Sequence, residues 1–237
     1  MKEEKIIRLE EIHSTNEYVK DLRQNGEQEN VVVIAKKQSG GKGTKGRSFS
    51  SLEGGVYLTK LVFYENFPAK DAFLVMARAA VAVCKTLEKF SLKPTIKWAN
   101  DVYVSNRKIC GILIENSFSG NRIASSIIGV GVNVNNDLPE ELQEIATSMK
   151  LEKGESQDFS AVEAELLKNL SEEFTIEEYI SRVGYLGKEA VLIQGEEKFT
   201  AIPVGVRTDG ALEVQINGEI KVVYSGEVSL IVQGERK

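Results

Sequence analysis

The side chains best suited to binding an anion are concentrated between Ala35 and Arg47. Five cations stand there, Lys36, Lys37, Lys42, Lys45 and Arg47, with four glycines and no acid, in a chain whose formal net charge is -5. Glycine lets backbone N–H groups come close to phosphate oxygens, and Lys and Arg add charge-assisted hydrogen bonds. The segment therefore suits a nucleotide phosphate or a carboxylate, although composition alone fits a solvated basic loop equally well. Two phosphate motifs occur here by spacing. Gly41-x-Gly43-x-x-Gly46 satisfies GxGxxG, and Gly41 to Ser48 has P-loop spacing with Arg47 at the lysine position. Both motifs need a helix opening at the last glycine. Here Ser48-Phe49-Ser50-Ser51 leads to Gly54-Gly55 and a strand pattern, so neither a Rossmann nor a P-loop site is expected. A single histidine, His13, leaves almost no material for a His/Cys zinc site or a Ser-His-Asp triad. Cys84 and Cys110 fall in apolar patterns and read as buried free thiols, so no protein-held metal is expected.

The elements that must position this loop follow from periodicity. IIRLEEI reads as a strand, and Ser14 with Glu17 has capping-box spacing before a short helix that stops near Gly26. VVVIAKK, 31 to 37, is a β-branched strand; Ser39 to Gly55 lacks periodicity and reads as a long mobile loop; VYLTKLVFY resumes as a strand. Residues 70 to 90 place Phe73, Leu74, Ala77, Ala80, Val81, Cys84 and Leu87 at helical spacing, a helix that covers one face of a sheet. Short strands are expected at Thr95 to Trp98, Val102 to Ser105, Lys108 to Glu115 and Ile123 to Val134, with a hairpin turn at Ser105-Asn106-Arg107. Ser160 with Glu163 is a second capping-box pattern, opening a helical stretch that runs toward Val183 and ends at Gly184. From about Gly187 the texture becomes short alternating strands with turn signals such as Thr208-Asp209-Gly210 and Asn217-Gly218. The expected class is α+β: a mixed β-sheet with helices over residues 1–184, then a small C-terminal β-barrel over 187–237.

A hydrophobic content of 42% with 27% charged residues suits a packed globular chain of 237 residues. No apolar run approaches the ~20 residues of a membrane span, and the charged start MKEEK does not suit a signal peptide, so a cytoplasmic protein without membrane partners is expected. The acidic balance argues against a nucleic-acid-coating function.

With the loop in hand, further motifs line up. Ser14-Thr15-Asn16 is followed by GKGTKGR at 41 to 47, then Lys97-Trp98-Ala99-Asn100-Asp101, then Lys108-Ile109-Cys110-Gly111-Ile112-Leu113-Ile114-Glu115, then Gly129-Val130-Gly131-Val132-Asn133. In order and spacing these resemble the motifs of biotin protein ligases, over nearly the whole chain. The resemblance implies a catalytic domain of the class II synthetase, biotin/lipoate ligase type, and a two-step acyl transfer. Biotin attacks the α-phosphate of ATP, and a carrier lysine then attacks the resulting biotinyl-adenylate.

By that resemblance, Ser14, Thr15, Asn16 and Gln38 hold the ureido end of biotin, with Gly41, Lys42, Gly43, Thr44, Lys108 and Gly111 completing the biotin site. Lys45, Arg47, Trp98, Asn100, Asp101 and Asn133 lie on the ATP side, and Lys108 and Arg47 stabilise charge at the reacting centre. Mg²⁺ travels with the nucleotide. Read by residue type alone, Ser14 equally caps a helix, Trp98 fills core, Asn100-Asp101 makes a turn and Lys108 is a solvated hairpin lysine. Three departures stand out: Ala99 replaces the usual proline and loosens the backbone there; Lys42 and Thr44 stand where relatives carry arginine, leaving fewer planar forks; and Ser229-Leu230-Ile231 is apolar where some relatives place a base. The implied partner is a biotin carboxyl carrier protein, and the chain is expected as a monomer or homodimer. Because the first strand begins within ten residues of Met1, no DNA-binding domain and no repressor function are expected. A lipoate-type ligase or transferase, and a non-catalytic biotin- or nucleotide-sensing module, are the alternatives.

Overall fold

The computed structural model describes residues 4–225 and, as backbone, 229–232. Strand β1 (Lys5–Ile12) leads through Ser14 into helix α1 (Thr15–Gln24). Ser14 is extended at φ -155° and its hydroxyl accepts from the Glu17 N–H, half of the expected capping box. The Glu17 carboxylate is engaged elsewhere, with Lys20 and Lys42. Next come β2 (Val31–Gln38), β3 (Val56–Pro68), helix α2 (Phe73–Lys89), β4 (Thr95–Lys97), β5 (Asp101–Val104), β6 (Arg107–Ser119) and β7 (Arg122–Val132). They form a seven-stranded sheet in the order β1-β2-β3-β7-β6-β5-β4. Only the β1/β2 pair is parallel, so the sheet is mixed, as the sequence predicts.

Period-2 alternation decides what each face does. On β2, Val32 and Ile34 join the large core under α2, whereas Val31 and Val33 join Val19, Leu61 and Ile127 under α1. Helix α2 buries Ala77, Ala80, Val81, Cys84 and Leu87 against the sheet, each at most 1% exposed. On the α1 face the apolar row stops. Past Leu61 and Ile127 the next residues of the same parity are Thr59 on β3 and Gly129 and Gly131 on β7, and a cleft begins there.

After β7 come α3 (Met149–Lys153), α4 (Phe159–Ser171) and α5 (Ile176–Ile180). Two features here differ from those expected of the sequence. Helix α4 is capped by Asp158, not Ser160, because Glu163 is drawn away into an ion pair with Arg8 at 2.7 Å. The helical run also breaks after Ser171 and restarts at α5 on a complete Thr175–Glu178 capping box.

The chain ends in β8 (Ala190–Gln194), β9 (Glu197–Val206), β10 (Leu212–Ile216), β11 (Glu219–Val223) and β12 (Ser229–Val232), an antiparallel five-stranded sheet ordered β11-β10-β9-β8-β12. Among the described residues no ladder joins β11 to β12, and closure of the expected barrel is not seen. Its inner face, with Leu192, Val206, Leu212 and Val214, is continuous with the core of the first sheet. Trp98 Nε1 donates to Gly210 O at 2.9 Å across this junction. The side chains of Ser229, Leu230 and Ile231 lie outside the described residues. No described helix is long and apolar enough to cross a membrane.

Candidate active site: two cavities that share Lys108

The inner cavity is a narrow space of about 40 Å³ between the start of α1, the end of β2, the basic loop and the floor of β6 and β7. Its floor is made of glycines because other side chains occupy the space a β-carbon would need. A β-carbon on Gly129 would lie 2.2 Å from Asn16 Oδ1, and one on Gly131 would lie 2.6 Å from the Phe49 ring. At Gly111 it would meet Phe49 at 3.0 Å and Lys108 Nζ at 3.2 Å. Ser14, Thr15 and Asn16 are buried at the wall. Gln38 Oε1 accepts from Thr15 N at 2.8 Å and lies 3.0 Å from Thr15 Oγ1, while Gln38 Nε2 donates to Ser51 Oγ at 2.8 Å. Thr59, wholly buried behind this wall, contacts Thr15 Oγ1 at 2.8 Å and Asn16 Oδ1 at 2.7 Å.

Lys108 stands at the mouth. Its ammonium pairs with Asp101 at 2.8 Å and lies 5.8 Å from the Phe49 ring centroid. Asn100 Nδ2 donates to Asp101 Oδ1 and to Ile112 O, fixing the carboxylate that holds Lys108. The Lys108 backbone is held as well: its N–H donates to Ile145 O and its carbonyl accepts from Thr147 N, both at 2.9 Å. Beyond Lys108 and Phe49 opens an outer cavity of about 330 Å³. Arg47, Lys97, Asp101 and Asn133 give it charge and polarity; Leu138, Leu142, Ile145 and Ala146 give it an apolar wall. Asn133 is oriented by donating to Thr147 O and accepting from Asn136 Nδ2, each at 3.0 Å. A larger hollow of about 740 Å³ beside Ser105–Arg107 contains none of the expected site residues. The two cations there, Arg107 and Lys150, are already paired with Glu152 and Asp137.

The basic loop is more ordered than its composition suggests. Thr44–Gly46 is a kinked turn with Lys45 left-handed at φ 57°, Lys42 bridges to Ser48, and Gly43 N donates to Arg47 O at 2.7 Å. Lys42 pairs with Glu17 at 2.9 Å. Hydrogen bonds from Lys20 and then Lys42 hold the Glu17 carboxyl below its ordinary value. The Arg47 guanidinium folds back onto Thr44, donating to its carbonyl at 3.2 Å and its hydroxyl at 3.1 Å. Gly41 lets the loop close on itself, since a β-carbon there would lie 2.4 Å from Phe49 O. Lys36 and Lys37 pair with Glu10 and Glu11 on β1, away from the site.

Of the expected site residues, Ser14, Thr15, Asn16, Gln38, Lys42, Gly43, Thr44, Asn100, Lys108 and Gly111 line the inner cavity. Gly43, Thr44, Arg47, Asp101, Lys108 and Asn133 line the outer one. Gly41, Lys45 and Trp98 line neither. Trp98 is 7% exposed and belongs to the core. The backbone around Ala99 is pinned, not loose: Trp98 N donates to Tyr185 Oη, and Tyr179 Oη donates to Ala99 O, each at 2.9 Å. Phe49 and Thr59 are not among the residues expected from sequence, and Glu17 is expected there only as a capping residue. Phe49, the one aromatic side chain in the loop, and Thr59, a polar residue on an apolar parity, carried the available signals. Among the described residues no group of three or more His, Cys, Asp or Glu side chains is placed to hold a metal.

Comparison with known proteins gives the family. Residues 9–133 match the model of the biotin/lipoate A/B protein ligase family, and residues 185–231 match the biotin protein ligase C terminal domain. The bifunctional ligase/repressor BirA of Bacillus subtilis is 36% identical over 155 residues, 64% of this chain and 48% of the relative. The protein of the same name from Escherichia coli is 30% identical over 214 residues, 85% of this chain and 66% of the relative. The chain thus spans about half the length of the first of these relatives and about two thirds of the second. The biotin protein ligase from Aquifex aeolicus, solved in complex with biotin and ATP, superposes with a TM-score of 0.79 at 30% identity, covering 97% of this chain and 99% of the other. With a family model matched across the sheet that carries both cavities, and a second matched across the C-terminal strands, the chain belongs to the biotin/lipoate A/B protein ligase family.

Proposed function

We propose that the protein is an ATP-dependent biotin protein ligase. The observation that carries this reading is Lys108: one ammonium lines both a small, hydrogen-bonding inner cavity and a larger, basic and apolar outer cavity. That arrangement suits a reaction in which an acid held inside meets a nucleotide held outside. Ser14, Thr15, Asn16 and Gln38 take the ureido end of biotin, and the carboxylate reaches Lys108. Lys42, Gly43 and Thr44 close over the ligand, while Gly41 shapes the loop. Arg47, Asn100, Asp101 and Asn133 serve the nucleotide side, Lys45 adds positive charge near it, and Trp98 supports it from the core.

A biotin carboxylate oxygen forms a bond to the α-phosphorus of ATP as the bond to pyrophosphate breaks. The amine of an acceptor lysine then attacks the carbonyl carbon of the mixed anhydride, AMP leaves, and the amine loses its proton to solvent. No nucleophile of the enzyme is needed. Catalysis rests on positioning and on charge stabilisation by Lys108 and Arg47. Mg²⁺ enters as part of the ATP substrate. The acceptor is a biotin carboxyl carrier domain presenting a lysine, the ATP requirement suits the cytoplasm, and a net charge of -5 gives no electrostatic basis for a nucleic-acid partner. Residues 1–184 form the catalytic unit and 187–237 a C-terminal unit that shares its core.

ATP–pyrophosphate exchange tests the reading. Exchange that depends on biotin and not on lipoate is expected. Exchange with lipoate alone would move the chain to the lipoate branch of the family, and exchange with neither would favour a sensing module.

A further inference from the structure

Thr59 is wholly buried on β3, opposite Gly129 of β7, and lies behind the inner cavity without lining it. Its hydroxyl contacts Asn16 Oδ1 at 2.7 Å and Thr15 Oγ1 at 2.8 Å, and Thr15 Oγ1 in turn lies 3.0 Å from Gln38 Oε1. The neighbouring groups fix which atoms are acceptors. Gln38 Oε1 accepts from Thr15 N while its amide nitrogen donates to Ser51, whose proton goes to Phe49 O. Asn16 Nδ2 faces the Glu115 carboxylate at 3.4 Å, leaving Oδ1 turned to Thr59. Each hydroxyl has one proton to give. Two hydroxyl protons, those of Thr15 and Thr59, therefore serve three oxygen–oxygen contacts, so one of the three carries no proton although each oxygen keeps a partner.

We infer that Thr59 is a positioning residue that fixes the Asn16 amide and the Thr15 hydroxyl at the wall of the inner cavity, and so favours a ligand end that brings an N–H donor. Such a ligand supplies the missing proton. A purely apolar or acceptor-only end leaves that contact without a proton, with two oxygen lone pairs facing each other in a buried place. The space for this device comes from Gly129, whose missing β-carbon admits Asn16 Oδ1 against the sheet beside Thr59. The inference rests on the biotin reading above and adds a selecting residue that does not touch the ligand.

Thr59→Val keeps the shape and removes the hydroxyl. In calorimetric titration of the full chain with biotin, the dissociation constant is expected to rise on the order of ten-fold, the scale of one unsatisfied buried group. Desthiobiotin, which keeps the ureido group, is expected to lose a similar factor. In pyrophosphate exchange the loss falls on KM for biotin and not on KM for ATP, a split that a general weakening of the fold does not produce. Thr59→Ser, which restores the hydroxyl, is expected to recover most of the affinity. Biotin binding by Thr59→Val as tight as wild type, an equal loss in KM for ATP, or a serine variant as defective as the valine one overturns the inference. If Thr59→Val does not fold, Thr59→Cys, of similar volume with a weaker donor, replaces it, and wild-type affinity in that variant overturns the inference as well. A wild-type protein that binds no biotin instead overturns the proposed function itself, and with it this inference.

Discussion

The inner wall and the basic loop face the same cavity but are built differently. Ser14, Thr15, Asn16 and Thr59 are at most 6% exposed and held by contacts to one another, to Gln38 and to the glycine floor. The loop's Lys42 and Arg47 are held instead at the surface, one by the carboxylate of Glu17 and the other by Thr44. Buried hydrogen bonds strengthen in a low dielectric, whereas surface ion pairs are screened and individually weak. The wall is therefore set before a ligand arrives, and the loop can exchange its present partners for a ligand's charge. Lys108 is intermediate: its backbone is fixed on β6, while its ammonium pairs with Asp101 beside the Phe49 ring, and Asp101 is a partner that an incoming anion can replace.

The largest expected effect is at that intermediate point. Lys108→Ala should lower biotin-dependent exchange on the order of 10²-fold, the scale of losing one preorganised donor in an acyl-transfer site. Lys108→Arg should also be poor, because a longer planar guanidinium does not occupy the same position. Thermal midpoints near wild type would separate this from misfolding; unchanged exchange would make Lys108 a solvated lysine.

Next comes the wall. A β-carbon on Gly129 would lie 2.2 Å from Asn16 Oδ1, so Gly129→Ala must displace that amide. Biotin affinity should fall on the order of ten-fold, as expected when a buried polar group loses its partner. Titration with biotin checks this, and unchanged affinity would mean that the wall is as adaptable as the loop.

The smallest effect belongs to the loop. Glu17→Gln removes the carboxylate that competes with a ligand for Lys42 and should slow release of biotinyl-adenylate by roughly two- to five-fold, the range of an exposed ion pair, with the difference shrinking at high salt. Because the Glu17 carboxyl lies below its ordinary value, the contact is present above the usual carboxylate range and is lost as pH falls through the lowered value. Release rates should therefore show no Glu17-dependent change between about pH 6 and 8. A ten-fold effect, or one indifferent to salt, would place the loop with the wall.

What was legible in the sequence was local. Alternation in VVVIAKK and the spacing in 70 to 90 gave strand and helix, and the turns at Ser105-Asn106 and Asn217-Gly218 adopt the positive φ values such pairs tolerate, 51° and 62°, then 52° and 86°. The glycines at 129 and 131 were legible as a motif, but not the reason for them, because Asn16 and Phe49 approach from distant parts of the chain. Long-range partners defeated local rules elsewhere. Arg8 takes Glu163 from 155 residues away and leaves Asp158 to cap α4. Trp98 stands out by motif, but that its indole N–H donates to Gly210, 112 residues on, is not given by any local rule. Thr59 could be seen as polar in an apolar strand, but not that it touches two residues of the Ser14–Asn16 segment.

The central claim is that an acid activated at Lys108 is passed to a lysine without a covalent enzyme intermediate. Single-turnover reaction of the purified chain with ATP, Mg²⁺, biotin and a biotin carboxyl carrier domain, followed by mass spectrometry and nucleotide analysis, tests it most directly. The expected result is one biotinyl amide on the acceptor lysine for each AMP and pyrophosphate formed, with the enzyme unmodified. ADP as product, a biotinylated enzyme residue required for transfer, or no modification of the acceptor would contradict the account.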